Sequence, residues 1–519
     1  MKTKWGIYIA VSFFILLLAS SCTQNNNGKP SDERIAEGKK LAELNCQSCH
    51  LLPNPNWVDA KTWEAGVMPA MGPRFGIFEY KGKRYNYSKY DLSLPSGYYP
   101  SKPTLTDDQW QKIIDYYVTM AQKKNESKQV RQYPIKNELP LFNAIVPDLK
   151  LGVPSTSFVK IDETSKDFPF IVSDVIKHEI YRYNKDLKQV DSTITRGPVV
   201  NIEMKQNEWF TCDIGMLNPN NDKLGSGRKI GIGTDGKMQQ TFVQPLISQL
   251  QRPVQLTTVD LNKDGKDDIL ACEFGFLTGQ LSWMENKGGG KYEKHILRPL
   301  PGAMKTIIED YNHDGLPDIW VLIAQGDEGI FLYTNQGNGK FVESRVLRFP
   351  SINGSSSFDM VDMNNDGFKD IIYTCGDNAD YSLVLKPYHG VYIFLNDGKN
   401  QFTQKYFYPL NGCYKAIARD FDNDGDLDIA TISYFADYQN QPEEGFVYLR
   451  NDGNFDFKPF SLPITQKGRW LTMDAGDYDH DGKIDLILGN FSVAPSFIKS
   501  KVDWKKGPIF MVLKNTGIR

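Results

Sequence analysis

Histidine and cysteine are scarce in this chain, at six and seven residues among 519. The cysteines lie at Cys22, Cys46, Cys49, Cys212, Cys272, Cys375 and Cys413, too widely spread for a disulfide-stapled scaffold. Cys212, Cys272 and Cys375 each follow an apolar run, which is the setting of a buried free thiol. A net charge of −3 argues against nucleic acid or an acidic polymer as the main partner. Beyond the N-terminus no apolar run is long enough to span a bilayer. No nucleophile elbow, zinc motif or dinucleotide-binding loop occurs, so the commonest enzyme chemistries lack their residues. A chain of this length holds more than one domain.

The first 21 residues place Lys2 and Lys4 ahead of an apolar run from Trp5 to Ala19 and end Ala19-Ser20-Ser21-Cys22. This is the pattern of a secretory signal. Its ending resembles a bacterial lipobox, with Ala19 where such boxes carry Leu. The resemblance implies a mature chain that begins at a lipidated Cys22 and lies outside the cytoplasm, in the periplasm or at the outer membrane. A plain transmembrane anchor is the alternative, for which the run is short. Residues 22–30 are Asn-rich and read as a polar tether.

Cys46-Gln47-Ser48-Cys49-His50 has the CxxCH spacing of a covalent haem site, with two thiols for the porphyrin vinyl groups and a histidine for the iron. A thioredoxin-like pair would need a surrounding βαβ pattern, and a zinc site a second nearby Cys/His pair; neither is present. The spacing predicts a helix from a Ser31 cap to Leu44 and another over 107–123, carrying Trp110, Ile113, Ile114, Tyr117 and Met120 on one side. This layout resembles the class I cytochromes c and implies a small all-α cytochrome domain over 31–125, followed by a linker over 126–149. His178 is the next histidine after His50, so no second histidine of this module can be the sixth ligand, and the candidates are Met68, Met71 and Met120. Trp63-Glu-Ala-Gly-Val-Met68-Pro-Ala-Met71-Gly72 resembles the Trp…Leu-Pro-x-Met-Gly segment of small cytochromes, which implies Met71 as that ligand. Met68 is the competing candidate, and Met120 reads as core. An open sixth position is the remaining alternative.

A second pattern repeats five times. Asp260, Asn262, Asp264, Lys266 and Asp268 stand at positions 1, 3, 5, 7 and 9 of an acidic loop with Gly265 at position 6. The same spacing recurs at Asp310, Asn312, Asp314, Leu316, Asp318; at Asp362, Asn364, Asp366, Phe368, Asp370; at Asp420, Asp422, Asp424, Asp426, Asp428; and at Asp477, Asp479, Asp481, Lys483, Asp485. Oxygen ligands at 1, 3, 5 and 9 with a backbone carbonyl at 7 suit calcium, up to five ions in all. Position 12 lacks the glutamate of an EF-hand, and the flanks read as strands. Each loop is followed by an apolar strand ending near Asn-x-Gly. Strand, loop, strand, connection, strand, turn, strand is one propeller blade.

These motifs resemble the VCBS/FG-GAP repeats of integrin-like propellers, over 150–519. Counting back from the five loops places degenerate blades near Phe158-Val-Lys-Ile161 and Val199-Val-Asn-Ile202. The fold expected is therefore multidomain: a small all-α cytochrome c domain, then an all-β seven-bladed propeller with calcium-binding hairpin loops. The whole resembles secreted bacterial proteins that fuse these two modules.

Blade topology puts the acidic loops on one face and the long insertions 376–390, 434–445 and 490–508 on the other. That second face gathers Asp377, Asp380, Lys386, Tyr388, His389, Tyr434, Asp437, Glu443 and Glu444, with Lys305, Lys415, Arg469 and Trp470 near the channel. It is the expected place for a redox partner protein or a small polar ligand such as a sugar; a merely solvated rim is the alternative. Three functions remain open: an anchored electron-transfer cytochrome, a haem-coupled propeller enzyme such as a sugar or aldehyde dehydrogenase or lyase, and a redox-sensing adhesion module.

Overall fold

The computed structural model describes residues 29–85, 92–121, 130–148, 152–205, 208–239, 244–379, 385–495 and 498–518. The signal segment, Cys22 and Asp380 lie outside these residues. Among the described residues no helix is long and apolar enough to cross a membrane.

The C-terminal three-quarters is a seven-bladed propeller of four-stranded antiparallel sheets. Blades one to six take their strands in chain order, from Thr156–Ile161 to Phe457–Phe460. The two blades without an acidic loop have inner strands at Thr156–Ile161 and Val199–Lys205, where counting back from the repeats puts them. Blade seven is closed from the other end of the module: its outer strand is Phe142–Ile145, paired antiparallel with Phe510–Asn515. Those four residues fall in the segment read from sequence as linker, so the circle is fastened by chain that precedes it. Phe142 is buried in the core between blades six and seven, 5.8 Å from the ring of Tyr448.

Each blade-to-blade seam holds its own apolar cluster, because strands two and three of the blades are largely buried on both sides. Inner strands are tied around the channel by side chains that bond the next blade's backbone. Ser157 donates to Val199 O at 2.6 Å, Glu203 accepts from Thr258 N at 2.6 Å and Gln255 accepts from Thr306 N at 2.7 Å. The series continues through Lys305 to Phe358 O at 2.7 Å, Ser356 to Cys413 O at 3.1 Å and Lys415 to Met473 O at 2.7 Å. Asp474 closes it by accepting from Ile161 N at 2.9 Å. Cys212, Cys272 and Cys375 are buried free thiols inside this assembly, as their apolar flanks predict, and Cys413 is a fourth.

The N-terminal unit is helical. Its first helix, Asp32–Cys46, is capped by the Ser31 hydroxyl, and the second long helix, Asp107–Met120, by a reciprocal Thr106/Gln109 capping box. Arg34 bonds Asp108 at 2.8 Å and Asp115 at 2.6 Å across the pair. The helices approach so closely at Gly38 that a Cβ there would lie 2.0 Å from Lys112 O. Met120, read as core, is 47 % exposed instead, because it is the last residue of its helix and extends past the crossing.

Candidate functional site

Cys46 ends the first helix and Cys49-His50 follow in the turn, so chain direction fixes all three beside the helix crossing. Cys46 and Met71 both pack against the buried cluster built on Trp63, Ile113 and Tyr117. Burial pushes the Cys46 thiol up to about 11, whereas Cys49 is exposed. The His50 ring is half-buried, and desolvation lowers its pKa, partly opposed by its bond to Leu51. Nδ1 lies 2.8 Å from Leu51 O. Since a carbonyl can only accept, Nδ1 carries the proton, and Nε2, with no bond of its own among the described residues, presents a lone pair. A metal-ligating imidazole is oriented in this way. This donor set therefore suits a haem attached at Cys46 and Cys49 with His50 at the iron.

The methionines separate by burial. Met68 is 4 % exposed and belongs to the core, while Met71 sits at its partly exposed edge. They lie on one helical run, 60–75, which opens into a wider turn where Met68 N–H reaches back five residues to Trp63 O. Pro69 has no N–H to continue the regular pattern, which accounts for the change of pitch.

The unit rests on the propeller face that carries the long insertions. Tyr98 donates to Leu277 O of blade three at 2.6 Å, and Trp57 lies 6.0 Å from the ring of Tyr388 in blade five. Ile352, in the crossover from blade four to blade five, packs against the helical core. His50 feels the charges of Arg348 and Asp327 at the same end of blade four. Part of the face expected to receive a partner is therefore covered by the chain's own N-terminal unit. Several residues read as ligand-facing are interior. His389, Tyr434 and Trp470 are buried, Tyr388 is half-buried, and fully buried Glu444 is paired with Arg131 of the connecting segment. Lys305 and Lys415 are spent on the ties between blades.

On the opposite face the five acidic loops share one geometry. Position 1 accepts from the N–H of positions 5 and 6, as Asp310 does from Asp314 at 3.0 Å and Gly315 at 2.8 Å. Positions 4 and 6 are both left-handed; Lys263, His313, Asn365, Asn423 and His480 occupy position 4 with φ of 56–61°. The carboxylate oxygens of Asp420, Asp422 and Asp428 lie within 4.8 Å of one another, as do those of Asp477, Asp479 and Asp485. Those convergent oxygens fit a hard cation. Lys266 and Lys483, read as carbonyl ligands at position 7, also lay their ammonium groups on Asp264 and Asp481, at 2.8 and 3.1 Å.

Position 9 does something the sequence does not disclose. Asp318 is fully buried; one oxygen accepts from Tyr311 N at 3.3 Å and the other from Asn335 N at 2.7 Å. Asn335, the residue of the Asn-x-Gly turn, in turn donates its amide to Pro317 O and to Leu261 O of the preceding blade. Asp268, Asp370, Asp428 and Asp485 make the same pair of bonds in their blades. Burial pushes Asp428 and Asp485 up to about 7. A further group, Glu285, Glu293 and His295, has no spacing that singles it out; Lys287 already supplies it with a cation, at 2.7 Å from Glu285 and 3.2 Å from Glu293.

The repeats have relatives. A family model described as an FG-GAP-like repeat matches residues 260–321 and 310–373, so the chain carries FG-GAP-like repeats. A T-cell immunomodulatory protein homolog of Plasmodium falciparum is 30 % identical over 240 residues, covering 35 % of this chain. The chain spans about a third of the length of that curated relative, 32 %. Similar solved structures include the N-terminal domain of Nup159, at 10 % identity and a TM-score of 0.42, covering 74 % of this chain and 98 % of that one. A periplasmic gluconolactonase of Pseudomonas aeruginosa has 8 % identity and a TM-score of 0.41, over 62 % and 96 % of the respective chains. The chain is thus a seven-bladed β-propeller with FG-GAP-like repeats, preceded by a small helical unit docked on one face.

Proposed function

We propose that this protein is an extracytoplasmic c-type cytochrome, lipid-anchored through Cys22 to a bacterial membrane. Its calcium-stabilised propeller positions the haem unit and binds a redox partner or a small polar ligand. The observation that carries the reading is the state of His50, one residue after Cys49, whose Nδ1 proton is committed to Leu51 O while Nε2 has no bond among the described residues. The haem supplies a reversible one-electron couple. Cys46 and Cys49, at the end of the first helix and in the turn after it, would hold the porphyrin through thioether bonds. His50, held in one tautomer by Leu51 O, would supply an imidazole nitrogen to the iron, and Met71 would supply a thioether, a donor that raises the potential. The buried Trp63–Tyr117 cluster, with ring centroids 4.3 Å apart, keeps water from that side of the unit. Calcium at the five acidic loops would neutralise carboxylates that otherwise repel one another across each turn.

The test is an anaerobic redox titration of the full chain produced in a host that attaches haem. A reversible one-electron transition is expected, with Met71→Ala lowering the midpoint and Met68→Ala leaving it nearer the parent value. Reduction of the haem by sugars or aldehydes alone would instead make the propeller an enzyme.

A further inference from the structure

We propose that the propeller binds a small organic anion in a cavity at the blade six–seven seam, on the face opposite the acidic loops, with Arg469 recognising its carboxylate or phosphate. Arg469 immediately precedes the inner strand Trp470–Gly476 and is 1 % exposed. Its Nε donates to Tyr434 O at 3.1 Å and its Nη1 to Ala494 O and Pro495 O, both at 3.2 Å. The guanidinium lies 3.8 Å from the centre of the Tyr434 ring. Among the described residues its buried Nη2 has no hydrogen-bond partner, and no carboxylate pairs with it. Buried arginines are ordinarily matched by an acid, since removing a charge from water without compensation is costly.

Arg469 lines a cavity of about 550 Å³, within the size range of small-molecule sites. Ser492 and Trp504 form part of its wall, and Lys499, Lys501 and Lys505 stand around it. Among the described residues none of these lysines forms an ion pair, and Asp503, the one acid in the lining, is 3.4 Å from Lys506. Four cations therefore face one already paired carboxylate, a field that concentrates anions. A planar guanidinium matches two oxygens of a carboxylate or phosphate at once. The volume suits one ring or a short chain rather than a polymer. The site deepens the ligand half of the proposed function and is independent of the haem half.

Calorimetric titration of the full-length protein with glucuronate, glucose 6-phosphate and glucose separates the possibilities on one carbon skeleton. Saturable binding of either anion, without binding of glucose, is expected; which anion binds names the charged group. Arg469→Gln is expected to weaken that binding about tenfold or more. Should that variant misfold, Lys499→Ala/Lys501→Ala/Lys505→Ala, whose side chains lie outside the core, is expected to weaken it severalfold. Binding of neither anion, equal binding of glucose, or unchanged affinity in the triple variant would overturn the proposal. The readout is heat of binding, so a haem spectrum that fails leaves this result standing.

Discussion

Tyr98 donates its hydroxyl hydrogen to Leu277 O at 2.6 Å, joining the long loop of the helical unit to the loop between strands two and three of blade three. With Trp57 over Tyr388 and Ile352 against the helical core, this fixes the unit on the propeller. Tyr98→Phe is expected to cost about 1 kcal/mol. Combined with Trp57→Ala, it should split thermal unfolding into two calorimetric transitions. A single transition in the double variant, at the parent temperature, would mean that these contacts do not hold the unit.

The Asp318–Asn335 bracket separates a structural role from a calcium role at position 9. Chelator should lower the melting temperature of the parent protein, because a cation bound only to the folded state stabilises it. Asp318→Ala leaves the buried Asn335 N–H and the half-buried Tyr311 N–H unpaired and should cost about 3 kcal/mol even with chelator present. Equal melting temperatures of variant and parent in chelator would reduce position 9 to a ligand alone.

Closure by Phe142–Ile145 makes blade seven depend on a residue far from it in sequence. Phe142→Ala removes a ring that is 2 % exposed and should destabilise the propeller by about 3–5 kcal/mol in denaturant titration. A change below about 1 kcal/mol would show that the fastening strand is dispensable.

Much of this architecture is legible in the pattern of residues alone. Asp at 1, 5 and 9, with Asp or Asn at 3 and Gly at 6, marks five hairpins, and the repeat length carries the count back to inner strands at 156 and 199. The Ser31 cap and the apolar spacing of Trp110 to Tyr117 mark the two helices. Phe142–Ile145 is not legible, because four residues outside any repeat have no periodicity to betray their partner. The bracket at position 9 is hidden for another reason: an aspartate that accepts backbone N–H groups and one that ligates calcium are the same letter. The crowding of His389 and Glu444 into the interior depends on long insertions folding back, which spacing does not encode.

Glu328 supplies a pH dependence. Its carboxyl is buried at the blade four–five seam, accepting from Ser355 N at 3.0 Å and Ser355 Oγ at 2.6 Å, and burial pushes its pKa up to about 8. Between the ordinary glutamate value and 8 the folded state keeps a proton that the unfolded state has lost, so stability falls as pH rises. The slope is about 1.4 kcal/mol per pH unit. Glu328→Gln should remove this slope and make the protein relatively more stable at pH 8 than at pH 5.5. Parallel stability profiles for parent and variant would refute the assignment.

Covalent haem at Cys46, Cys49 and His50 underlies the whole functional reading, and its test is a mass and a spectrum. Intact mass and the reduced-minus-oxidised visible spectrum are recorded on the full chain made in a host with haem-attachment machinery, beside Cys46→Ala/Cys49→Ala. A mass increased by one haem that survives denaturation, with a c-type α-band, is predicted for the parent, and neither for the double variant. An apo-protein mass with no α-band, in a parent chain that is folded, would contradict the assignment.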